Sequence, residues 1–94
     1  MSLVQLESFV AVAEEAHVGR AARRLNLSQP PLTRRIQQLE QELGVELFDR
    51  TPRGMQLSPA GVALLPEARA ILERVARVGA RVRAANESPP DRSS

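Results

Sequence analysis

The chain has 94 residues, a length that suits one small domain and leaves no room for a second globular one. It contains no cysteine and a single histidine, which excludes disulfides and thiolate metal sites and leaves no ligand set for a metal ion. The net charge is only +2, and no run approaches the ~18 apolar residues that a membrane span needs. We therefore expect a soluble cytoplasmic protein without a cofactor.

The placement of the charges is more informative than their sum. Residues 1–16 carry acids and no base, residues 17–37 carry five arginines and no acid, and acids return from Glu40 onwards. A basic block between acidic flanks indicates either a surface that meets an anion, such as a phosphate backbone, or a solvated face. The five arginines of this block are Arg20, Arg23, Arg24, Arg34 and Arg35.

Two amphipathic helices are predicted first. Apolar residues spaced by threes and fours predict a helix over Leu3–Ala16, and we expect His17 to start the next one. Gly19 interrupts the pattern, and two small alanines indicate a short second helix that ends near Leu25 and packs close to its neighbours. The tripeptide Asn26-Leu27-Ser28 predicts a tight turn with its leucine buried.

A third helix is predicted over Gln29–Leu43 and ends at Gly44. Ser28 is a good N-cap because its hydroxyl can accept from first-turn N–H groups, and Pro30-Pro31 is tolerated where those groups have no intrahelical partner. The apolar stripe consists of Leu32, Ile36, Leu39 and Leu43. The opposite face has no acid and consists of Pro30, Arg34, Gln37, Gln38 and Gln41, with Thr33 on its flank.

A β-hairpin is predicted next. Short alternating runs flank a tip that contains proline and glycine, and Arg53 would stand at that tip. We expect Asp49 and Arg50, just before the tip, to form a structural ion pair rather than to contact a partner.

The longest periodic segment begins at Ser58-Pro59, a second cap followed by proline at the first helical position. Its apolar residues alternate fours and threes for three heptads to about Ala85, which is typical of a coiled-coil seam. Pro66 should kink this helix or shift its start, because an interior proline costs about 3 kcal/mol. The seam consists of Leu64, Ala68, Ile71, Val75, Val78, Val82 and Ala85. The tail from Asn86 is polar and contains prolines, which predicts disorder.

This order of elements predicts a mainly α fold: a winged helix-turn-helix of three helices plus a two-stranded β wing, followed by a long dimerisation helix. The winged domain would span 1–58, the linker helix 59–85 and the disordered tail 86–94. In such a motif the second helix of the turn lies in the major groove of DNA, and its first residues meet the bases.

The side chains on the outer face of the third helix fit that chemistry. Arg34 could donate two hydrogen bonds to guanine O6 and N7, and Gln29 or Gln37 could pair with adenine N6 and N7. Thr33 and the ring of Pro30 could contact a thymine methyl group. The free N–H groups near the start of the helix suit a phosphate.

Several blocks of the sequence resemble the LysR-type transcriptional regulators of bacteria. They occur in the same order as in that family, and the match spans roughly residues 3–85. The blocks are Ala21–Ile36 (AARRLNLSQPPLTRRI), Gln38–Glu40 (QLE), Leu43–Arg50 (LGVELFDR) and Leu57–Gly61 (LSPAG).

The resemblance implies a protein of the bacterial nucleoid that binds double-stranded operator DNA as a homodimer on a pseudo-palindromic site, with its linker helices paired antiparallel. Arg53 would enter a minor groove, whose narrow A·T stretches attract arginine. The expected DNA-binding residues are Ser28, Gln29, Pro30, Pro31, Thr33, Arg34, Gln37 and Arg53. The candidates for phosphate contact are Arg20, Arg23, Arg24 and Arg35. The expected dimer interface consists of Leu64, Ala68, Ile71, Leu72, Val75, Val78 and Val82.

Members of that family continue into a large domain that binds a small-molecule effector. This sequence contains no such domain, so we expect an excised domain that would meet an effector only through the missing part. The expected oligomeric state of the chain itself is at most a dimer.

Other readings remain open. Arg20, Arg23 and Arg24 could instead lie on a solvated helix surface, and Arg35 could pair with a neighbouring acid. The seam near Leu64 is expected to pack on the first helix, while its reach past Val75 argues for a partner. A winged-helix adaptor for other proteins is an alternative function, although an acidic or apolar outer face on the third helix would favour it more. An enzyme is disfavoured, because no nucleophile–base–orienter set and no glycine-rich phosphate loop are present.

Overall fold

The computed structural model describes residues 1–87 as four helices and one two-stranded antiparallel sheet. The elements are α1 (Leu3–Glu15), α2 (Val18–Arg24), α3 (Gln29–Leu43), β1 (Phe48–Thr51), β2 (Gly54–Leu57) and α4 (Pro59–Glu87). This order confirms the predicted winged helix-turn-helix followed by a long helix. In the described part of the chain, no helix combines the length and apolar character that crossing a bilayer requires.

Helix α1 supplies the centre of the core. A capping box at its start joins the Ser2 hydroxyl to the Gln5 N–H at 3.1 Å and the Gln5 side chain to the Ser2 N–H at 3.0 Å. Phe9 and Val12 of α1 are fully buried, and the Phe9 ring packs on that of Phe48 with centroids 5.4 Å apart. The helix ends one residue earlier than predicted, at Glu15.

Helices α2 and α3 pack on this core as the sequence predicted. Ala21 and Ala22 are buried, so α2 approaches its neighbours closely. His17 is the N-cap of α2, and its Nδ1 accepts a hydrogen bond from the Arg20 N–H at 3.2 Å, which confirms its expected place. Leu27 in the turn is half-buried against the core.

The predicted apolar stripe of α3 is correct for three of its four residues. Leu32, Ile36 and Leu39 are buried. Leu43 is 39% exposed, because it occupies the last helical position, where Gly44 takes a left-handed backbone conformation and turns the chain away.

The wing is held in place by a backbone contact with the end of α1. The Met55 N–H donates to the Ala16 carbonyl at 3.2 Å, and Ala16 presents that carbonyl because it has a left-handed backbone with φ of 55°. Gly54 has φ of +117°, and a Cβ there would lie 2.6 Å from the Ala16 oxygen. A glycine is therefore required for the wing to lie against α1.

Helix α4 begins at the predicted cap. The Ser58 hydroxyl accepts from the Gly61 N–H at 3.1 Å and donates to the Glu46 carbonyl at 2.6 Å, which ties the start of α4 to the segment before the wing. The helix continues through Pro66 without a break, so this proline does not shift its start. It also runs two residues past the predicted end at Ala85, and the rest of the predicted tail, 88–94, lies outside the described residues.

The first turn of α4 lies so close to the wing that only glycine fits at position 61. A Cβ on Gly61 would lie 2.2 Å from the Leu47 carbonyl oxygen and 2.8 Å from the Leu57 side chain. A Cβ on Gly79, in the same helix, would meet only the flexible end of the Arg83 side chain, at 3.2 Å.

We therefore predict that one substitution has opposite effects at two positions of α4. Gly61→Ala should lower the free energy of unfolding by about 1–3 kcal/mol, because the backbone must move to admit the methyl group. Gly79→Ala should raise it by about 0.5–1 kcal/mol, since alanine is the better helix former. Urea denaturation of both variants measures the difference, and a loss of stability in both would contradict this packing.

Candidate nucleic-acid interface

The outer face of α3 presents the predicted base-reading side chains together. Gln29, Pro30, Arg34 and Gln37 are exposed along this face, and Thr33 is half-buried on its flank, as the 3.6-residue period requires when the opposite stripe is buried. Pro31 is also half-buried. Within residues 1–87 Arg34 makes no ion pair, so its guanidinium is available to a partner.

Ser28 is the N-cap residue of α3, but its hydroxyl does not cap the helix, which corrects the prediction. A capping hydroxyl accepts from the N–H of the second or third helical residue. In α3 these residues are Pro30 and Pro31, which have no N–H. The first turn consequently offers only the N–H groups of Ser28 and Gln29 to an anion, fewer than predicted, together with the exposed Ser28 side chain.

Arg53 lies at the tip of the wing, as predicted, and is exposed. The tip is a tight two-residue loop in which the Thr51 hydroxyl accepts from the Arg53 N–H at 3.2 Å and donates to the Gly54 carbonyl at 2.9 Å. The backbone that carries Arg53 is thus fixed by local hydrogen bonds, while its side chain extends into solvent.

The structure gives Arg50 a place that differs from the predicted one. Arg50 lines the cleft between α3 and the wing, next to Thr33 and Gln37, and the described residues contain no ion pair between Arg50 and Asp49. Adjacent strand residues point to opposite faces, so the two side chains diverge. The same parity offered a signal in the sequence, because Arg50 shares a face of β1 with the buried Phe48.

Two acids of α3, Glu40 and Glu42, bind groups away from its outer face. The Glu40 carboxylate accepts from the Leu47 N–H at 2.7 Å, which anchors the segment before the wing. The Glu42 carboxylate binds the N-terminal ammonium and the Gln5 amide, and these contacts lower the pKa of Glu42. The outer face of α3 therefore keeps its positive and amide character.

The candidate phosphate contacts divide into two groups. Arg20 and Arg23 are exposed on α2, and Arg35 is half-buried on α3. Arg24 is held by acids of α1: its guanidinium lies 2.8 Å from Glu14 and 3.3 Å from Glu15. Pairing with acids is neither of the two readings left open for Arg24, which were phosphate contact and a solvated helix surface.

Glu14 also binds a second arginine, from α4. Its Oε2 accepts from Arg69 Nη2 at 2.9 Å and from Arg69 Nε at 3.0 Å, while its Oε1 faces Arg24. The Arg24 guanidinium, followed by that of Arg69, lowers the pKa of Glu14 below its usual 4.5. Sequence reasoning missed this cluster, because 55 residues separate Glu14 from Arg69.

The predicted dimer seam divides at about Leu72. Ala68 is fully buried in the core of its own chain, and Leu64 and Leu72 pack against that core, so the expected place of Ala68 in a dimer interface is wrong. The part of α4 near α1 has to cover the apolar side of α1, and Ala68 serves that purpose. The exposed part of the seam consists of Ile71 (39% exposed), Val75 (45%), Val78 (48%) and Val82 (64%).

Residues 3–62 match the family described as bacterial regulatory helix-turn-helix protein, lysR family. The chain belongs to the LysR family. It is 62% identical over 73 residues to the transcriptional regulator TfdS of Cupriavidus pinatubonensis, covering 78% of this chain and 25% of that protein. It is 52% identical over 89 residues to ClcR of Pseudomonas putida, covering 93% of this chain and 30% of that protein.

Solved structures of LysR-family proteins superpose closely on this fold. A CbnR_DBD–DNA complex matches with a TM-score of 0.84 and 51% identity, over 92% of this chain and 99% of that one. A BenM_DBD/catB site 1 DNA complex matches with a TM-score of 0.88 and 37% identity, over 92% and 97%. The chain thus spans nearly all of these two solved chains but only about a quarter to a third of the curated relatives.

The lowered pKa of Glu14 predicts a dependence of stability on pH. Because the folded-state pKa lies below the usual 4.5, the charged carboxylate stabilises the fold above that pH, and this contribution is lost as the pH falls through the lowered pKa. The difference in unfolding free energy between the wild type and Glu14→Gln should be largest near neutral pH and vanish in strong acid. Glu7→Gln, which removes an exposed α1 carboxylate without an ion pair in residues 1–87, is the control, and identical pH profiles for both variants would argue against the cluster.

Proposed function

We propose that this chain is the operator-recognition module of a bacterial LysR-type regulator, which binds double-stranded DNA sequence-specifically through α3. The observation that carries the proposal is the outer face of α3, where arginine and glutamines stand exposed on a winged helix-turn-helix. Two relatives of the same fold, at 51% and 37% identity, have been solved in DNA complexes. The proposed activity is binding and not catalysis, in keeping with relatives that are named as transcriptional regulators.

The first half of α3 would read the major groove. Arg34 presents five donors in a planar fork, which matches guanine O6 and N7, and the Gln29 and Gln37 amides match adenine N6 and N7. The Ser28 hydroxyl, which the two prolines leave without a capping partner, is available to a phosphate oxygen. The residues of α3 and its N-cap that would contact DNA are therefore Ser28, Gln29, Pro30, Thr33, Arg34 and Gln37.

Arginines on the two sides of α3 would hold the phosphate backbone and the minor groove. Arg53 at the rigid wing tip would enter the minor groove. Arg20 and Arg23 on α2, together with Arg50 in the cleft beside Thr33, would neutralise phosphates and fix the register of the domain without reading sequence.

Dimerisation would use the exposed part of the α4 seam. Ile71, Val75, Val78 and Val82 recur at four, three and four residues along one side of an arm that extends beyond the core. A second copy of the same stripe would remove these residues from water, and two-fold pairing would present two recognition helices to successive major grooves about 34 Å apart. Such a dimer binds a pseudo-palindromic site and would be located on the chromosome of the bacterial cell.

Regulation by a small molecule would depend on sequence beyond this chain. The curated relatives are three to four times as long as the matched segment, so a response to an effector is proposed for the longer proteins only. A winged-helix adaptor that binds another protein is the competing function. It would predict salt-sensitive DNA binding without base preference, since backbone attraction alone is non-specific.

We predict that Arg34→Ala weakens binding to the preferred DNA site by about 1–3 kcal/mol and relaxes the choice of base at one position in each half-site. The affinity for random-sequence DNA should fall much less. Arg77→Ala, which removes the same charge from the exposed part of α4, is the matched control. Fluorescence anisotropy with both duplexes measures the effect, and equal losses on specific and random DNA would argue against base reading by Arg34.

We also predict that Val78→Glu dissociates the dimer. The substitution places a carboxylate in the apolar stripe, and the affinity between copies should fall by at least about tenfold because a buried charge is costly. Ala80→Glu, two residues further and about 200° around the helix, adds the same charge to the opposite side and should leave the dimer intact. Sedimentation equilibrium distinguishes the two, and an unchanged mass for Val78→Glu would refute this interface.

A further inference from the structure

The ion-pair cluster of Glu14, Arg24 and Arg69 joins three helices at one carboxylate. The two oxygens of Glu14 bind different partners: Oε1 lies 2.8 Å from Arg24 Nη2 at the end of α2, and Oε2 lies 2.9 Å from Arg69 Nη2 on α4. Arg24 is the last residue of α2, directly before the turn that leads into α3. One side chain of α1 thus connects the linker helix to the helix-turn-helix.

This cluster lies where α4 leaves the body of the domain. Ala68 is buried and Leu72 packs on the core, but from residue 73 onwards every described residue of α4 is exposed except the half-buried Gly79. Arg69 is therefore within the last turn of α4 that the domain holds. Beyond it the helix is an unsupported arm, in keeping with overall dimensions of 64 × 25 × 20 Å.

The start of α4 does not fix the direction of this arm by itself. Pro66 has no N–H, so the Val62 carbonyl lacks its normal helical partner and the helix is less stiff just before Arg69. The apolar contacts of Ala68 and Leu72 oppose separation but are non-directional. The two hydrogen bonds from Arg69 to Glu14 are charge-assisted and directional, and they resist a swing of the arm.

A small change in the direction of α4 at Arg69 moves the exposed part of the seam by a large distance. Val82 lies thirteen residues further along the helix, about 20 Å at 1.5 Å per residue. A rotation of about 10° would move it by about 3.5 Å, close to the rise of one base pair. The direction of the arm in each subunit therefore determines which separation of half-sites the two recognition helices can reach.

We propose that Glu14 is a positioning residue which, through Arg69 and Arg24, sets the half-site spacing that the dimer accepts. This inference rests on the proposed function, since it requires a dimer that reads two half-sites. Glu14 itself would not touch DNA. Its removal should weaken the preference for one distance between half-sites and leave the base preference within each half-site as it is.

The experiment selects bound duplexes from a pool. Each duplex carries two inverted copies of the preferred half-site, both partly randomised. The spacers between the two copies differ in length by single base pairs. The wild-type chain should enrich one spacing strongly. Arg69→Gln and Glu14→Gln should reduce its enrichment over the neighbouring spacings by about two- to fivefold, the range expected for exposed ion pairs. Arg77→Gln, on the free arm, should behave as the wild type.

Two further variants separate positioning from a general structural role. Arg69→Lys keeps the charge but loses the planar fork, so its spacing profile should lie between those of the wild type and Arg69→Gln. The double variant Glu14→Arg with Arg69→Glu restores an opposite-charge pair between α1 and α4, and it should recover part of the spacing preference. Thermal unfolding at neutral pH should shift only slightly for each variant, because the three side chains are 30–50% solvent-accessible and such ion pairs contribute little to stability.

The outcomes are distinct. A spacing profile for Arg69→Gln and Glu14→Gln identical to that of Arg77→Gln would overturn the inference. A change in half-site bases together with spacing would also overturn it, because the cluster would then shape the reading surface itself. If the wild-type chain enriches no inverted half-site, the proposed function fails, and this inference fails with it.

Discussion

The fold depends on burying one side of α3 against α1. Leu32 and Leu39 of α3 are fully buried in the same core as Phe9 and Val12 of α1. A helix packed this way has no freedom to rotate about its axis, because rotation would expose two leucines and leave a cavity. The outward direction of Arg34 and Gln37 is therefore a consequence of core packing, and the polar face needs no other support.

The same core sets the places of the wing and of α4. Phe48 enters it from β1 and Ala68 from α4, while Ala16 at the end of α1 offers its carbonyl to Met55 of the wing. Two glycines permit these approaches, because a Cβ at Gly54 or Gly61 would lie within 2.6 Å of a backbone oxygen. Helix α4 thus serves two purposes along its length: its first half completes the core, and its second half carries an apolar stripe away from it.

Much of this could be predicted from the sequence, because its signals are local. The caps, the helix ends at glycine and the period of α3 each depend on residues within one or two turns of each other. The failed cap at Ser28 was also within reach, since the two prolines that follow have no N–H to donate. The position of Arg50 could also be predicted from the alternation of side chains along a strand. The predicted ion pair with the adjacent acid did not take that alternation into account.

The remaining features are long-range and had no local signal. The heptad pattern of α4 is the same on both sides of Leu72, so the period alone could not separate core residues from the exposed stripe. The pairing of Glu14 with Arg69 depends on how α4 crosses α1, which only the folded chain determines. Charge patterns gave Arg24 two readings, phosphate contact and solvation, and neither includes the acids of α1 that it binds in the folded chain.

Selection of bound duplexes from a random pool at near-physiological salt would show whether the outer face of α3 reads DNA sequence in a symmetric dimer. We expect a consensus of two inverted half-sites whose centres are about one helical turn, or a whole number of turns, apart. Binding that yields no consensus and disappears as salt is raised would mean backbone attraction only, and would contradict base recognition by this domain.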